Sequence, residues 1–202
     1  MGRRSDHSRT ELRELIISEG HQQMAEHGFA HFSARHVARE IGYSVGTIYN
    51  LFPSVDHLLL AINTRTFSQW TEFVGRRLDQ SGSDRIAALV QAYFDFAREH
   101  TNLWMAIYDH RLPAGMALPP DDDEIRRELT LIVIRELSAV RSNRSEFEVE
   151  RLARSLIATV HGHCTYALNG SFDLMGETDP VGLALGRVRE AIAATKTGAG
   201  LR

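Results

Sequence analysis

The sequence predicts an all-α protein, in which a small N-terminal group of helices precedes a larger helical bundle. We find no convincing run of alternating β-branched residues, which a half-buried strand would need. Helix start signals recur instead, and two have the spacing of a capping box: Ser8 with Glu11, and Ser145 with Glu148. Glycines suited to the left-handed position after a helix stand at Gly28, Gly42 and Gly170.

These signals bound the first three predicted helices. The first begins after Ser8 and carries one apolar stripe before it ends near Gly28. The second and third begin after Ser33 and Ser44, whose hydroxyl groups can accept a hydrogen bond from the first helical amides. The predicted spans are residues 9–27, 34–41 and 45–51.

Six further helices are predicted after residue 53. Ser54 and Ser83 each precede a helical pattern, and Asp179 followed by Pro180 places an N-cap before a proline at the first helical position. The six predicted spans are residues 54–80, 84–100, 102–110, 121–141, 146–169 and 180–196.

Two loops and one domain boundary complete the predicted organisation. Arg111–Asp123 is the clearest loop because it holds three of the five prolines, and Gly170–Pro180 is the second. Short helices give way to long ones near residue 53. We therefore expect a helix-turn-helix domain over residues 1–53 and a second domain over residues 54–202.

Composition excludes several classes of protein. The chain has 202 residues, of which 43% are hydrophobic, and a formal net charge of −3. No apolar run reaches the roughly 18 residues of a membrane span, and the N-terminus lacks the apolar region of a signal peptide. Cys164 is the single cysteine, which excludes an intrachain disulfide. We therefore expect a soluble cytoplasmic protein with no membrane partner.

The most informative stretch is a pair of short helices joined by a tight turn. Only Gly42, Tyr43 and Ser44 separate predicted helices 34–41 and 45–51, a spacing that indicates a helix-turn-helix. The second helix of this motif can enter the major groove of DNA, which is wide enough for one α-helix. The free amides at helix starts also suit phosphate oxygens. The groups near the start of the second helix would then reach DNA: Val45, Gly46, Thr47, Tyr49 and Asn50.

The segment from Gly28 to Ile62 resembles the N-terminal domain of the tetracycline-repressor (TetR) family of bacterial transcription regulators. The resemblance rests on Gly28-Phe29, Ser33, Val37-Ala38, Ile41-Gly42, Ser44, Gly46-Thr47-Ile48-Tyr49, Phe52, Ser54 and Leu58. It implies that Ser33, Ser44 and Tyr49 hold DNA phosphates, and that the helix from Ser54 starts against the DNA backbone. It also implies that Val45, Thr47 and Asn50 lie at base edges.

The charge of this segment departs from the family pattern. Val45 and Val55 stand where family members often carry lysine, so neither side chain can neutralise a phosphate, although Val45 can touch a thymine methyl group. Residues 1–65 contain seven arginines and seven acidic residues, so the segment is formally neutral with histidine uncharged. We therefore expect weak non-specific DNA binding, because such binding draws on Lys and Arg contacts. The cations that remain for DNA are Arg3, Arg4, Arg9, Arg35 and Arg39.

The larger domain is rich in aromatic residues, which either form an ordinary helical core or line an apolar cavity with a few polar groups. The fragments "TNLWMAIYDH" and "IATVHGHCTYALNG" resemble a C-terminal domain type found in part of the TetR family. This resemblance implies a pocket for a small-molecule effector. The expected lining residues are Trp70, Tyr93, Trp104, Tyr108, His161 and Tyr166.

The stretch "HGHC", from His161 to Cys164, raises the alternatives of a metal site and an enzyme. His161 and His163 point about 200° apart on a helix, whereas His161 and Cys164 share a face. Zinc needs three or four ligands, and the spacing indicates no second pair, so we expect no metal and no cofactor. A helical enzyme that uses His161 and Cys164 lacks an orienting third group and an oxyanion hole.

The last predicted helix indicates a homodimer. It combines small residues, which allow close helix approach, with apolar ones, and the TetR family dimerises through its last two long helices as a four-helix bundle. A two-fold dimer would match a palindromic DNA operator. The same residues can instead pack on helix 146–169 of their own chain.

The expected function is therefore that of a ligand-responsive transcription regulator, most often a repressor in this family. We expect a homodimer that binds a palindromic operator and is released by a small, largely apolar effector. A regulator driven by a protein partner without a small ligand is the alternative. Thr47, Asn50 and the other residues named above would carry DNA binding.

Overall fold

The computed structural model describes residues 7–141 and 145–194, and these residues form helices and no strand. The all-α class is confirmed. The α-helices are α1 Arg9–His27, α2 Ala34–Glu40, α3 Val45–Leu51, α4 Val55–Asp79, α5 Arg85–Glu99, α6 Thr101–Asp109, α7 Pro120–Val140, α8 Glu146–Leu168, α9 Ser171–Leu174 and α10 Pro180–Ala194. A 3₁₀ helix spans Phe29–His31.

All nine predicted helices are present, and their described ends agree with the predicted ends to within one residue. Residues 195 and 196 of the last predicted helix lie outside the described residues, as do Arg3 and Arg4. The sequence did not predict Phe29–His31 or α9, which lies in the expected loop Gly170–Pro180. The single turn of α9 forms because it buries Phe172 against His163 and Tyr166 of α8.

Most predicted helix caps are confirmed. Ser8 accepts from the amide of Glu11 while the Glu11 carboxylate accepts from the amide of Ser8, and Ser145 and Glu148 form the same capping box. Asp179 accepts from the amide of Gly182 over 2.9 Å, at the start of α10. The prediction for Ser83 is wrong. Asp84, one residue later, accepts from the amide of Ala87 over 3.0 Å at the start of α5.

The chain divides into two compact units. Unit 1 contains the described residues up to Gln69 together with His100–Arg126. Unit 2 contains Trp70–Glu99 together with the described residues from Arg127 onward. Helix α4 therefore contributes to both units. The functional boundary expected at residue 53 stays a prediction.

The core of unit 1 is formed by apolar faces of α1, α2, α3, α4 and α6. Helix α6 belongs to this core although it lies far along the chain from α1, because Leu103 and Ala106 are buried there. Full burial of one such aliphatic side chain contributes about 1.5–3 kcal/mol. The central residues are Ile16, Ile17, Met24, Val37, Ala38, Ile48, Phe52, Leu58, Leu59, Ile62, Leu103 and Ala106.

Unit 2 is built on the mutual packing of α5, α8 and α10. Ala153, Leu156 and Val160 are buried on α8, and Ala184 and Val188 are buried on α10. Part of the expected alternative is therefore present, since the last helix packs on α8 of its own chain.

No single helix in the described part of the chain is long and apolar enough to cross a membrane. Among residues 7–141 and 145–194, only the combination of α3 and α4, which bend by 74° at their junction, reaches the required length and composition.

Candidate nucleic-acid interface and effector residues

The turn between α2 and α3 has the geometry of a helix-turn-helix. Gly42 has a φ of 76°, and the amide of Tyr43 donates to the carbonyl of Ala38 over 2.8 Å, which closes the end of α2. An L-residue with a side chain at position 42 would be strained because of this positive φ, although a Cβ there would meet no atom within 4 Å. Ser44 then caps α3 by accepting from the amide of Thr47 over 3.2 Å.

The two short helices are held by one apolar face each. Val37 and Ala38 of α2 and Ile48 of α3 are buried in the core of unit 1. On α3, Tyr49 is 49% exposed, and Asn50 and Gly46 are also exposed. The face of α3 that carries the polar groups is therefore accessible.

The remaining expected DNA contacts differ in their accessibility. Ser44 and Arg35 are exposed, whereas Ser33, Val45, Thr47 and Ser54 are half-buried. All nine expected residues thus retain some accessible surface, and their assignment to DNA stays a prediction.

Several of these side chains already have partners. The hydroxyl groups of Ser44 and Thr47 lie 3.0 Å apart, and Ser54 Oγ lies 2.9 Å from His57 Nδ1. Ser33 Oγ accepts from the amide of His36 over 3.3 Å. The hydroxyl groups of these serines therefore act mainly as helix caps. A phosphate would be held mainly by the backbone amides around them. Val45 packs against the core of unit 1, which leaves only part of its side chain for a base.

The cations near α2 and α3 are unequally available. Arg39 donates twice to Glu40, over 3.0 and 2.9 Å, and the hydrogen bonds from Arg39 lower the pKa of the Glu40 carboxyl. Arg9 donates to the carbonyl of Asn50 at the end of α3 over 3.4 Å. Sequence reasoning had no signal for this contact, which joins residues 41 positions apart.

The structure brings together three of the six expected effector residues. In unit 2, the rings of Trp70 and Tyr93 meet edge to face with centroids 4.9 Å apart, and Tyr93 Oη lies 3.1 Å from His161 Nδ1. Tyr166, which is 49% exposed, instead contacts Phe172 at 5.6 Å. In unit 1, the rings of Trp104 and Tyr108 contact each other with centroids 5.1 Å apart.

The protonation of His161 follows from its neighbours. Burial lowers the pKa of His161, so the ring is neutral at pH 7. The Thr165 hydroxyl donates to the His161 carbonyl over 2.9 Å, and its oxygen lies 3.5 Å from His161 Nε2. Tyr93 Oη lies 3.1 Å from the other ring nitrogen, Nδ1. The His161 ring is thus a neutral polar group within hydrogen-bonding distance of Tyr93.

Cys164 is unsuited to nucleophilic or metal chemistry in this state. Its side chain is fully buried, and burial raises the pKa of the thiol to about 12. Since the thiolate is the reactive and metal-binding form, Cys164 stays in its inert form. Among the residues that the structure describes, no group of three His, Cys, Asp or Glu side chains is placed to hold a metal ion.

The fold and the accessible face of α3 define a helix-turn-helix protein of the transcription-regulator class. The family signature described as "Bacterial regulatory proteins, tetR family" matches residues 16–62, and that described as "Tetracyclin repressor-like, C-terminal domain" matches residues 86–184. The chain belongs to the TetR family. This family consists of regulators rather than enzymes, which overturns the His161–Cys164 enzyme alternative.

Individual relatives agree with this assignment. HTH-type transcriptional regulators from Mycobacterium tuberculosis and Mycobacterium bovis are 30% identical to the chain over 125 residues. The match covers 60% of this chain and 53% of each regulator, so the aligned part spans about half the length of these curated relatives.

Two solved structures show the same fold. A protein of unknown function from Rhodococcus sp. RHA1 superposes with a TM-score of 0.73 at 22% identity, covering 95% of this chain and 98% of that one. The transcriptional regulator FadR from Bacillus subtilis, solved with stearoyl-CoA, superposes with a TM-score of 0.63 at 17% identity, covering 94% and 99%.

Proposed function

We propose that this chain is a cytoplasmic, ligand-responsive repressor that binds a palindromic DNA operator as a homodimer. The observation that carries the proposal is α3 itself. It is capped by Ser44, fixed to the core by Ile48, and exposes Tyr49 and Asn50. A short, rigidly seated helix with an accessible polar face suits insertion into a major groove.

The proposed contacts divide into two classes. Ser33, Arg35, Ser44, Tyr49 and Ser54 bind phosphates, which position the protein without reading sequence. The bases are read by side chains and a close backbone approach on α3: Val45, Gly46, Thr47 and Asn50. We refer to α3 below as the recognition helix.

The proposed functional boundary lies at residue 53, with DNA binding before it and effector binding and dimerisation after it. Helix α4 follows directly, and its 25 residues contribute to both compact units. A single continuous helix of this kind can transmit a displacement along its length.

Dimerisation is proposed to occur through α8 and α10. Leu183 is 36% exposed and Gly182 is exposed, whereas Ala184 is buried in the chain. The exposed part of α10 therefore offers a small, apolar surface that a second copy can cover. An isologous two-fold contact would place one recognition helix at each half-site of a palindromic operator.

The proposed effector is a small, largely apolar molecule. Trp70, Tyr93 and His161 combine aromatic surface with one neutral hydrogen-bonding group, as small-molecule sites do. Trp104, Tyr108 and Tyr166 remain candidates as well. The related fold of FadR was solved with stearoyl-CoA, a ligand with a long apolar part, which supports this class. An effector that prefers a state with misplaced recognition helices would lower operator affinity by its differential affinity for the two states.

Selection of binding sites from random double-stranded DNA tests the DNA-binding part. We expect an enriched palindrome for the parent chain. Asn50→Ala should change the preferred bases, and Tyr49→Phe should lower the affinity for all DNA sequences similarly. Failure of the parent chain to enrich any sequence would refute specific DNA binding.

A thermal-shift screen against small apolar molecules tests the effector part. A true effector should raise the melting temperature and lower affinity for the enriched duplex. His161→Phe should reduce the shift while leaving operator binding without effector unchanged. A chain that no small molecule stabilises would instead favour a regulator driven by a protein partner.

A further inference from the structure

Two arginine side chains of α1 lie at the C-terminal end of the recognition helix. Arg9 Nη2 donates to the carbonyl of Asn50 over 3.4 Å, and the guanidinium carbon of Arg13 lies 5.3 Å from the centre of the Phe52 ring. Arg9 and Arg13 are four residues apart on α1 and therefore share a face. Two independent contacts thus bring both guanidinium groups to the same end of α3.

This end of a helix is electronegative by itself. The last carbonyl groups of α3 have no partner within the helix, and the helix dipole adds about −0.5 elementary charge. The seven residues of α3 span about 10 Å, while the major groove is about 12 Å wide. A helix of this length that crosses the groove approaches a phosphate backbone at both ends. Without a nearby cation, the partial negative charge at the C-terminal end of α3 would repel the phosphates.

We infer that Arg9 and Arg13 reverse the charge at this end and bind the DNA phosphodiester backbone beside it. The inference rests on the proposed function and names the cations that a formally neutral segment uses. A guanidinium has five N–H donors, so one bond from Arg9 to Asn50 leaves donors for phosphate oxygens. Lysine at position 45 or 55 is then not needed for a phosphate contact.

The acidic neighbours of Arg13 do not prevent this role. Arg13 is 3.7 Å from Glu14, whose other carboxylate oxygen lies 3.8 Å from Arg65. The Arg13 side chain is 45% exposed, and exposed ion pairs contribute little. Glu11 is engaged with Ser8 in the capping box. Arg13 can therefore exchange its partner for a phosphate at small cost.

The salt dependence of DNA binding by the full chain tests the inference. Arg9→Gln and Arg13→Gln remove charge, and Arg9→Lys keeps it. Arg76→Gln is the matched control, because Arg76 is an exposed arginine of unit 2 that lies 3.8 Å from Glu72. Fluorescence anisotropy at several salt concentrations would use two probes, the duplex enriched from random DNA and a scrambled duplex of equal length.

The expected result is a change of slope that is independent of DNA sequence. For both glutamine variants, the slope of log affinity against log salt should flatten by about 0.9 for each phosphate that is no longer neutralised, equally on both duplexes. Arg9→Lys and Arg76→Gln should keep the parent slope. Thermal unfolding checks that the variants fold. If Arg9→Gln is unstable, the salt dependence of Arg13→Gln alone tests the inference.

Two outcomes would overturn the inference while leaving the proposed function intact. One is a parent chain that binds the enriched duplex and glutamine variants that keep its slope. The other is weaker binding of the enriched duplex alone at the parent slope, which would mean that the arginines only hold α3 in place. A parent chain that binds neither duplex contradicts the proposed function, and the inference with it.

Discussion

His110 Nε2 lies 3.3 Å from Asp56 Oδ1, and this pair joins the end of α6 to the first turn of α4. The His110 side chain is buried. Because a carboxylate can only accept, Nε2 donates to Asp56, and Nδ1 faces the amide nitrogen of Asn63 at 3.5 Å. Asn63 Nδ2 also donates to the carbonyl of Ala106 over 3.3 Å. The start of α4 is thus held by a small buried polar network.

We predict that His110→Ala lowers the free energy of unfolding by about 2–4 kcal/mol, because it leaves a cavity and removes a hydrogen bond. Asp56→Asn should cost less, because an amide oxygen still accepts from Nε2. Chemical denaturation of both variants measures the difference. Equal losses would mean that the negative charge of Asp56, rather than its hydrogen bond, holds α6.

His21 makes the stability of the protein dependent on pH. Its Nε2 is buried and has no hydrogen-bond partner among the described residues. Burial, together with the nearby charges of Arg65 and His100, lowers the pKa of His21 from 6.5 to about 4. Between these values the unfolded chain binds the proton and the folded chain does not.

Stability from this source is therefore complete above pH 6.5 and is lost as the pH falls toward 4. At about 1.4 kcal/mol per pKa unit, the loss is at most about 3.5 kcal/mol. We predict that His21→Leu flattens the dependence of unfolding free energy on pH between 7 and 5. A variant that keeps the parent dependence would assign the effect to other groups.

Glu136 of α7 is the buried carboxylate that ties α5 to α7. Arg85 donates to it twice, over 2.6 and 2.8 Å, and these hydrogen bonds lower the pKa of the Glu136 carboxyl. We predict that Arg85→Gln lowers the melting temperature because it leaves a buried charge without its partner. Arg135→Gln is the control, since Arg135 is exposed and 3.9 Å from the same carboxylate.

Apolar replacement separates the charge from the packing. The double variant Arg85→Met, Glu136→Leu should recover most of the stability that Arg85→Gln loses, because it removes the buried charge. Thermal unfolding followed by circular dichroism measures the stability of Arg85→Gln, Arg135→Gln and the double variant. A double variant as unstable as Arg85→Gln would show that packing of the arginine stem matters more than the ion pair.

The proposed dimer leads to a prediction for Leu183. Leu183→Glu should place charge in the small, apolar surface of α10, which would yield monomers and abolish operator binding. Leu174→Glu is the matched control, because Leu174 of α9 is 92% exposed and lies outside the proposed surface. Sedimentation measures whether each variant is a monomer or a dimer. Monomers from Leu174→Glu, with Leu183→Glu still dimeric, would move the interface to α9.

The fold was predictable because its signals are local. Serine caps, capping boxes and positive-φ glycines act within four residues, so the described ends of the nine predicted helices agree with the prediction to within one residue. Helix α9 was missed because its single turn depends on the burial of Phe172, a tertiary effect. The cap of α5 was misplaced because Ser83 and Asp84 both have capping side chains, and only the backbone path selects Asp84.

Contacts between distant residues were not predictable from one sequence. The aromatic and histidine residues proposed for the effector were chosen by type. The contacts of Trp70 and His161 with Tyr93, and that of Trp104 with Tyr108, depend on helix packing. Arg9 was noted only for its charge. Its contact with Asn50 depends on the packing of α1 beside α3, which no spacing rule encodes.

Val45 and Val55 stand where members of the TetR family often carry lysine. Val55 is 37% exposed in the first turn of α4, so a lysine there can extend into solvent. Val45 packs against the core of unit 1, so a lysine there would weaken apolar packing. The two substitutions should therefore differ in stability as well as in DNA binding.

Val55→Lys should steepen the slope of log affinity against log salt by about 0.9 for each phosphate neutralised, equally on enriched and scrambled DNA. Its cost is small, since a lysine opposes the helix dipole by about 0.3–1 kcal/mol. Val45→Lys should also raise affinity for scrambled DNA, but it should lower both the ratio of specific to non-specific binding and the melting temperature. Fluorescence anisotropy at several salt concentrations and thermal unfolding measure these effects. A Val55→Lys slope identical to that of the parent would mean that the start of α4 does not face DNA, because a lysine in contact with phosphate must release a counterion.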